Sequence, residues 1–249
     1  MILRRIAEGI KNQDWFVVLI EIFIVVIGIY LGLQVDDWNK ARQDREDEKL
    51  FIIQFHDDLL LSEALASRVQ DRRLTLLVDL VSAAAAVFDR PERKSLTQEE
   101  CTAIGNSRFF NIVISDFPSL TELQNSGRLG IIRSKTLRLA IVELQQKADA
   151  LRDIVPLQTA VRIDLPNKFP DLVQTSPYFD TDLKEYQQRY QCDLEGMRAS
   201  SAFKSGISLN LDGYDAYLRD GMLPWLEQFQ KVHEIVDQTL GISHEGEAE

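Results

Sequence analysis

Between Gln34 and Arg90 the chain has neither a glycine nor a proline. Over such a length that absence removes the strongest turn signals and leaves helix as the expected state. Histidine and cysteine are almost as scarce, with three and two copies. There is no Gly-rich phosphate loop, no G-x-S-x-G elbow and no Cys–His pair at catalytic spacing, so no catalytic constellation is expected. Positive charge is short as well: the net charge is −11. Up to Val35, Arg4, Arg5 and Lys11 cancel Glu8, Asp14 and Glu21, so the whole deficit belongs to Asp36 onward. Binding to a polyphosphate depends on Lys and Arg displacing counterions, so nucleic acid is not an expected partner.

What is present begins with a long apolar run. Phe16 to Val35 is 20 residues, and 15 of them are Phe, Val, Leu or Ile. As a helix it would be about 30 Å long, the thickness of a bilayer's hydrocarbon layer. Those side chains favour insertion by roughly 5 to 9 kcal/mol, against about 3 kcal/mol for one central charge. Glu21 lies nearer the end, so insertion wins. The run is too long for a signal peptide, and "GLQVDDW" offers no small-x-small cleavage site. Trp15 and Trp38 stand at the two ends as interface anchors, and Tyr30 adds a third amphipathic ring. The lipid bilayer is thus the first expected partner.

Orientation is nearly balanced. Arg4, Arg5, Lys11 and the amino terminus precede the span, and Lys40, Arg42, Arg45 and Lys49 follow it. The head reads as a small amphipathic helix, with Ile2, Leu3, Ile6 and Ile10 on one side, which suits an anionic cytoplasmic leaflet. A cytoplasmic N-terminus is therefore expected, with the C-terminal part periplasmic or extracellular.

At 100° per residue, Glu21, Val25, Gly28 and Gly32 share one stripe, and "GIYLG" is a GxxxG motif. An acid in hydrocarbon tends to face protein, and small residues let a second helix approach. The stripe is expected to be a packing face for a homodimer or another membrane protein. The alternative is a Glu21 that is protonated or reaches the headgroups, with incidental glycines. In a symmetric dimer one of the two Glu21 side chains would have to be protonated.

Beyond the span, "DDWNKARQDREDEKL" is polar all round, a stalk supported by i,i+4 charge pairs. Apolar positions then return at Phe51, Phe55, Leu59, Leu61, Leu65, Val69, Leu76, Leu80 and Val87, the steps of a buried helix face. Pro91 ends the run. Thr97-x-x-Glu100 and Ser119-x-x-Glu122 read as capping boxes, with Gly105 and Gly127 as stops. "RFFNIVISDFP" has β character but no second strand to pair with, and is expected to be a packed loop. Ser134 caps a long helix through Leu137, Ile141, Leu144, Ala148 and Leu151, which Pro156 kinks without ending. "PNKFPDLVQTSPYF" reads as a connection, and Asp193 caps a helix at "LEGMRASSAFK". A last helix lines up Tyr214, Leu218, Trp225, Phe229, Val232, Val236 and Leu240, with a kink at Pro224 and a stop at Gly241.

The expected fold is all-α: one N-terminal transmembrane helix continuing into a long stalk helix and a helical bundle. Its parts are an amphipathic segment 1–15, the span 16–35, the stalk and first bundle helix 36–90, the remaining bundle 91–244 and a tail 245–249.

Two passages resemble a known kind of protein. "EIFIVVIGIYLGLQVDDWNKAR" has an early acid, a V-x-G step, Gln34 and a D-W-N…R cluster at Asp37, Trp38, Asn39 and Arg42. It resembles the opening of a widespread, uncharacterised family of bacterial N-terminally anchored single-pass membrane proteins. "QNSGRLGIIRSKTLR", Gln124 to Arg138, resembles a second recurrent segment of that family. The resemblance implies a membrane-anchored helical protein and no activity.

Three candidate chemistries remain. "HEIVD" places His233 and Asp237 at i,i+4 with Glu234 between them, near the zinc pattern HExxH. A carboxylate replaces the second histidine, and only His56 and His244 are left to complete a site, so neither a metal nor a cofactor is expected. "SLNLDGYDAYLR" supplies Ser208, Asn210, Asp212 and Gly213 in calcium-loop order. It puts Arg219 where a bidentate Glu is required, so a helix break at Gly213 is expected instead. His56, Asp57, Asp58 and Glu63 read as a solvated helix face. Cys101 and Cys192 could close a disulfide if the body is periplasmic, contributing about 4 kcal/mol for a loop near 90 residues, or be free and buried if it is cytoplasmic. The leading expectation is a non-enzymatic, membrane-tethered module that binds a partner or scaffolds an envelope complex. A sensory bundle that binds a small molecule and signals through a partner is the alternative.

Overall fold

A computed structural model of the chain describes residues 15–110, 117–181 and 184–242. The amphipathic head, most of "NIVISDFP", His244 and the tail lie outside them. The chain forms two compact units, Met1–Phe51 and Ile52–Glu249.

One helix, α1, runs from Trp15 to Phe88. No glycine or proline interrupts it beyond Gly32, so each backbone N–H finds its carbonyl four residues back. It stops where Asp89 and Arg90 both donate to the Ala85 carbonyl and Pro91 follows. Among the described residues it carries one stretch long and apolar enough to cross a membrane. After that stretch, Lys40–Asp36 (2.7 Å) and Arg42–Glu46 (3.2 Å) form exposed i,i+4 pairs, each contributing a few tenths of a kcal/mol (about 0.3–0.5).

Among its described residues, the second unit has helices and one hairpin. After α1 come α2 (Gln98–Asn106), α3 (Pro118–Asn125), a 3-10 turn (Leu129–Ile131), α4 (Lys135–Val161) and a single turn, α5 (Leu165–Lys168). Strands β1 (Val173–Asp180) and β2 (Glu185–Cys192) pair antiparallel, from Val173 opposite Cys192 to Asp180 opposite Glu185. Then come α6 (Leu194–Ala199), α7 (Ser201–Tyr217), a π-helical segment (Leu218–Met222) and α8 (Leu223–Leu240).

The core is aromatic. Phe55 of α1 meets Phe117 edge-on at 5.5 Å, Phe117 stacks on Phe229 at 6.1 Å, and Trp225 lies 5.6 Å from Phe229. Leu59, Leu80, Ile104, Ile141, Leu144, Phe203, Val232 and Val236 are also fully buried or nearly so. Each such side chain contributes about 1.5–3 kcal/mol by leaving water. Helix α4 packs along α8, where the buried Gln228 amide donates to the Ala140 carbonyl at 2.9 Å.

Several expectations are corrected. Leu61 and Leu65 do not face the core; Leu61 is 80% exposed. The buried stripe from Phe55 and Leu59 continues through Ser62 and Ala66 and then, at seven-residue intervals, Arg73 and Leu80. Two of those positions are polar, and both are bonded: the Ser62 hydroxyl donates to the Asp58 carbonyl, and Arg73 donates to the Phe109 carbonyl and the Tyr214 hydroxyl. The Pro-rich passage is not a bare connection, because "VQTSPYFD" is β1. A two-stranded sheet has only edges, so Pro177 is tolerated opposite Gln188.

Gly213 does not break α7. It makes room for the Arg162 guanidinium, which would overlap any Cβ there. Gly105 does not end α2 either, but lies inside it under the Tyr190 ring. The Asp193 helix is two helices, since Ser200 starts α7 afresh by accepting from the Phe203 amide. The last helix is interrupted by the π segment just before Pro224, and Gly241 does cap it, at φ 69°.

Candidate functional site

On α1, Glu21, Val25, Gly28 and Gly32 are exposed, as is every residue from Leu19 to Val35. A Cβ built on Gly28 or Gly32 would meet nothing within 4 Å. Trp15 opens the helix, and Trp38 is exposed on it.

In the second unit the Thr97–Glu100 capping box forms as its spacing predicts, and it carries more than a cap. The Glu100 carboxylate, 5% exposed, accepts four hydrogen bonds: from the Ser82 hydroxyl (2.6 Å), both terminal nitrogens of Arg93 (2.7 Å each) and the Thr97 amide (2.8 Å). Arg93 above all, then Ser82 and Thr97, hold its pKa down at about 2 against the opposing effect of burial. The next residue, Cys101, is bonded to Cys192 at the end of β2, with Cα atoms 5.8 Å apart. Helix α2 is therefore fixed at one point by charge and at the neighbouring point by a covalent bond.

Ser119 does not form the predicted capping box. Pro118 opens α3 with no side-chain cap, and Asp58 of α1 accepts from the Ser119 amide (3.0 Å) and hydroxyl (2.6 Å). An acid placed on a solvated face is thus the anion at a helix N-terminus, where the macrodipole favours it.

His56 is not solvated either. It is buried and lies against the last helix: its Nε2 is 3.1 Å from Asp237 Oδ1. His233 Nε2 is 3.6 Å from the same oxygen, and His233 Nδ1 is 3.4 Å from Glu63 Oε2. The two imidazole rings are 5.4 Å apart and tilted by 54°. The "HEIVD" helix therefore meets a second histidine from α1, while Glu234 is exposed. In the sequence His56 stands 177 positions from His233, and no spacing pattern singles it out over His244. The available signal was that each histidine sits within an apolar stripe, His56 beside Phe55 and Leu59, and His233 beside Val232 and Val236.

A groove of about 190 Å³ runs beside the π segment, with Leu151, Ile154, Tyr217 and Pro224 as its apolar wall and Lys147 and Asp220 among its polar groups. Burial pushes the Tyr217 hydroxyl up to about 12, although the Arg73 charge opposes it. Arg219 holds Asp220 below the usual carboxylate range.

The chain matches no family model, no curated protein and no solved structure. The Ser208–Arg219 passage, helical to Tyr217 with Arg162 against Gly213, has no loop in which to wrap a calcium ion.

Proposed function

We propose that this protein is a bacterial, single-pass, membrane-anchored helical module without enzymatic activity, which binds a partner or scaffolds an envelope complex. The observation that carries the reading is the span itself. From Leu19 to Val35 no residue is buried, and that exposed surface includes an acid and two glycines on one stripe. Lipid suits the leucines, isoleucines and phenylalanines; a second helix suits Glu21, Val25, Gly28 and Gly32. The N-terminus lies in the cytoplasm and the second unit in the periplasm. The Cys101–Cys192 disulfide supports that orientation, since such bonds persist in oxidising compartments. The family resemblance of the span agrees with the same picture.

The test is a crosslinked pull-down in mild detergent from native membranes. It compares the wild-type chain with Gly28→Leu/Gly32→Leu and with Glu21→Gln. Loss of a co-purifying band, or of a crosslinked dimer, in the glycine variant supports the packing face. An identical pattern in all three chains refutes it and leaves the span as a tether.

The groove beside the π segment favours a second reading, a bundle that binds a small amphiphile and acts through a partner. π segments recur at functional sites, and this groove is mainly apolar with two opposite charges. Native mass spectrometry should then find a co-purifying small molecule that is lost on Ala216→Trp.

A further inference from the structure

We propose that His56, His233 and Asp237 form a binding site for one divalent transition-metal ion of the zinc class, joining α1 to α8 within the second unit. The proposal is independent of the membrane reading above. One ligand atom from each of His56, His233 and Asp237 lies within 4.8 Å of the other two. A tetrahedral ion with bonds of about 2.0–2.1 Å spaces its ligand atoms by about 3.3–3.4 Å. The two distances to Asp237 Oδ1, 3.1 and 3.6 Å, straddle that edge. The remaining edge joins the two imidazoles, whose ring centroids are 5.4 Å apart.

Three further features fit an ion. First, both imidazoles present Nε2 to one carboxylate oxygen, so positive charge at the centre satisfies all three groups at once. Second, Glu63 Oε2 lies against the opposite nitrogen of His233. A carboxylate there orients the ring and keeps the proton on Nδ1, which leaves the Nε2 lone pair for a metal. Third, the three ligand side chains are 10%, 8% and 13% exposed, so they are already largely desolvated and held by packing.

The donor set decides the class of ion. Two imidazoles and one carboxylate suit zinc, cobalt, nickel or copper rather than magnesium or calcium, which prefer all-oxygen shells. The placement also decides the role. Glu234, which would be the base in an HExxH enzyme, is exposed, one residue and about 100° around the helix from His233. The site is therefore a clip between the first and last helices, with water completing the shell, and not a hydrolytic centre.

The test uses the full chain without a polyhistidine tag, purified in mild detergent, stripped with EDTA and titrated calorimetrically with Zn²⁺. A parallel titration with Co²⁺ is read by visible absorption. The expected result is one equivalent of either ion and the intense Co²⁺ bands of a four-coordinate site. His56→Gln and His233→Gln should each abolish stoichiometric binding. Glu63→Gln, a change at a half-exposed side chain, should keep the stoichiometry and weaken affinity by about 10–100-fold. His244→Gln should bind like the wild type. Circular dichroism checks each variant's fold. If the histidine variants misfold, the wild type and Glu63→Gln still decide. Failure of the wild type to take up Zn²⁺, uptake undiminished in a folded His56→Gln, or equal affinity in Glu63→Gln overturns the proposal and leaves a proton-bridged His–Asp–His cluster.

Discussion

Changing Glu100 to glutamine removes one negative charge and sets an amide N–H₂ against groups that are themselves donors. In the wild type every acceptor position of Glu100 is used, by Ser82, Arg93 and Thr97. The carboxyl falls from 4.5 to about 2, and at about 1.4 kcal/mol per pH unit the ionised form stabilises the folded state by about 3 kcal/mol. The group is buried, so solvent screens little of this. Arg93 is raised by the same pair, and its shift is the other side of one interaction, not a second contribution.

Because the folded pKa is depressed, the stabilisation is fully present above 4.5 and disappears as the pH falls through about 2. Asp79 acts in the opposite sense. Burial, then the charges of Glu99 and Glu100, raise its pKa, so its contribution is present at low pH and lost as pH rises. Glu100→Gln relieves part of that and trims the difference at neutral pH. The expected outcome is a melting temperature about 6–12 °C below wild type at neutral pH, for a unit of this size. The gap should close as the pH is lowered toward about 2. Melts followed by circular dichroism in mild detergent measure both curves. A gap that stays constant down to about pH 2 would refute the electrostatic reasoning and leave only a packing defect.

Reducing the Cys101–Cys192 bond, or replacing both cysteines with serine, frees a loop whose ends are 91 positions apart; chemical denaturation should show a loss of about 4.5 kcal/mol. Gly105→Ala places a Cβ 2.5 Å from the Tyr190 ring, so the overlap, about 1–3 kcal/mol, should exceed the gain in helix propensity of about 1 kcal/mol. Combining it with Tyr190→Leu should cost less than the sum of the two single changes, which a double-mutant cycle in urea checks.

What the sequence disclosed was mainly local. The Thr97–Glu100 box, the Ser134 cap and the Gly241 stop each depend on residues within a turn of one another, and each forms. The Ser119 box, equally well spelled, does not, because Asp58 arrives from 61 positions away and takes the donors of Ser119. Glu100 was legible as a cap but not as the partner of Arg93 and Ser82, which only the fold brings to it. The hairpin was hidden by Pro177 in one strand and by "EYQQRYQC", where Gln188 interrupts the alternation of Tyr186, Tyr190 and Cys192. His56 and His233 belong to helices at opposite ends of the unit, and no spacing rule connects them.

That pairing of ends has a consequence in time. The part of α1 from Ile52 onward is made first, yet its buried face is met by His233 and Asp237 of the last helix and by Phe117, which stacks on Phe229. At about 5–20 residues per second, roughly 150 residues of synthesis separate the end of α1 from the end of α8, about 8 to 30 s. Throughout that interval Phe55 and Leu59 have no finished core to enter. The unit must therefore mature after α8 has been made, and until then it is exposed to aggregation or to chaperones that hold apolar helices.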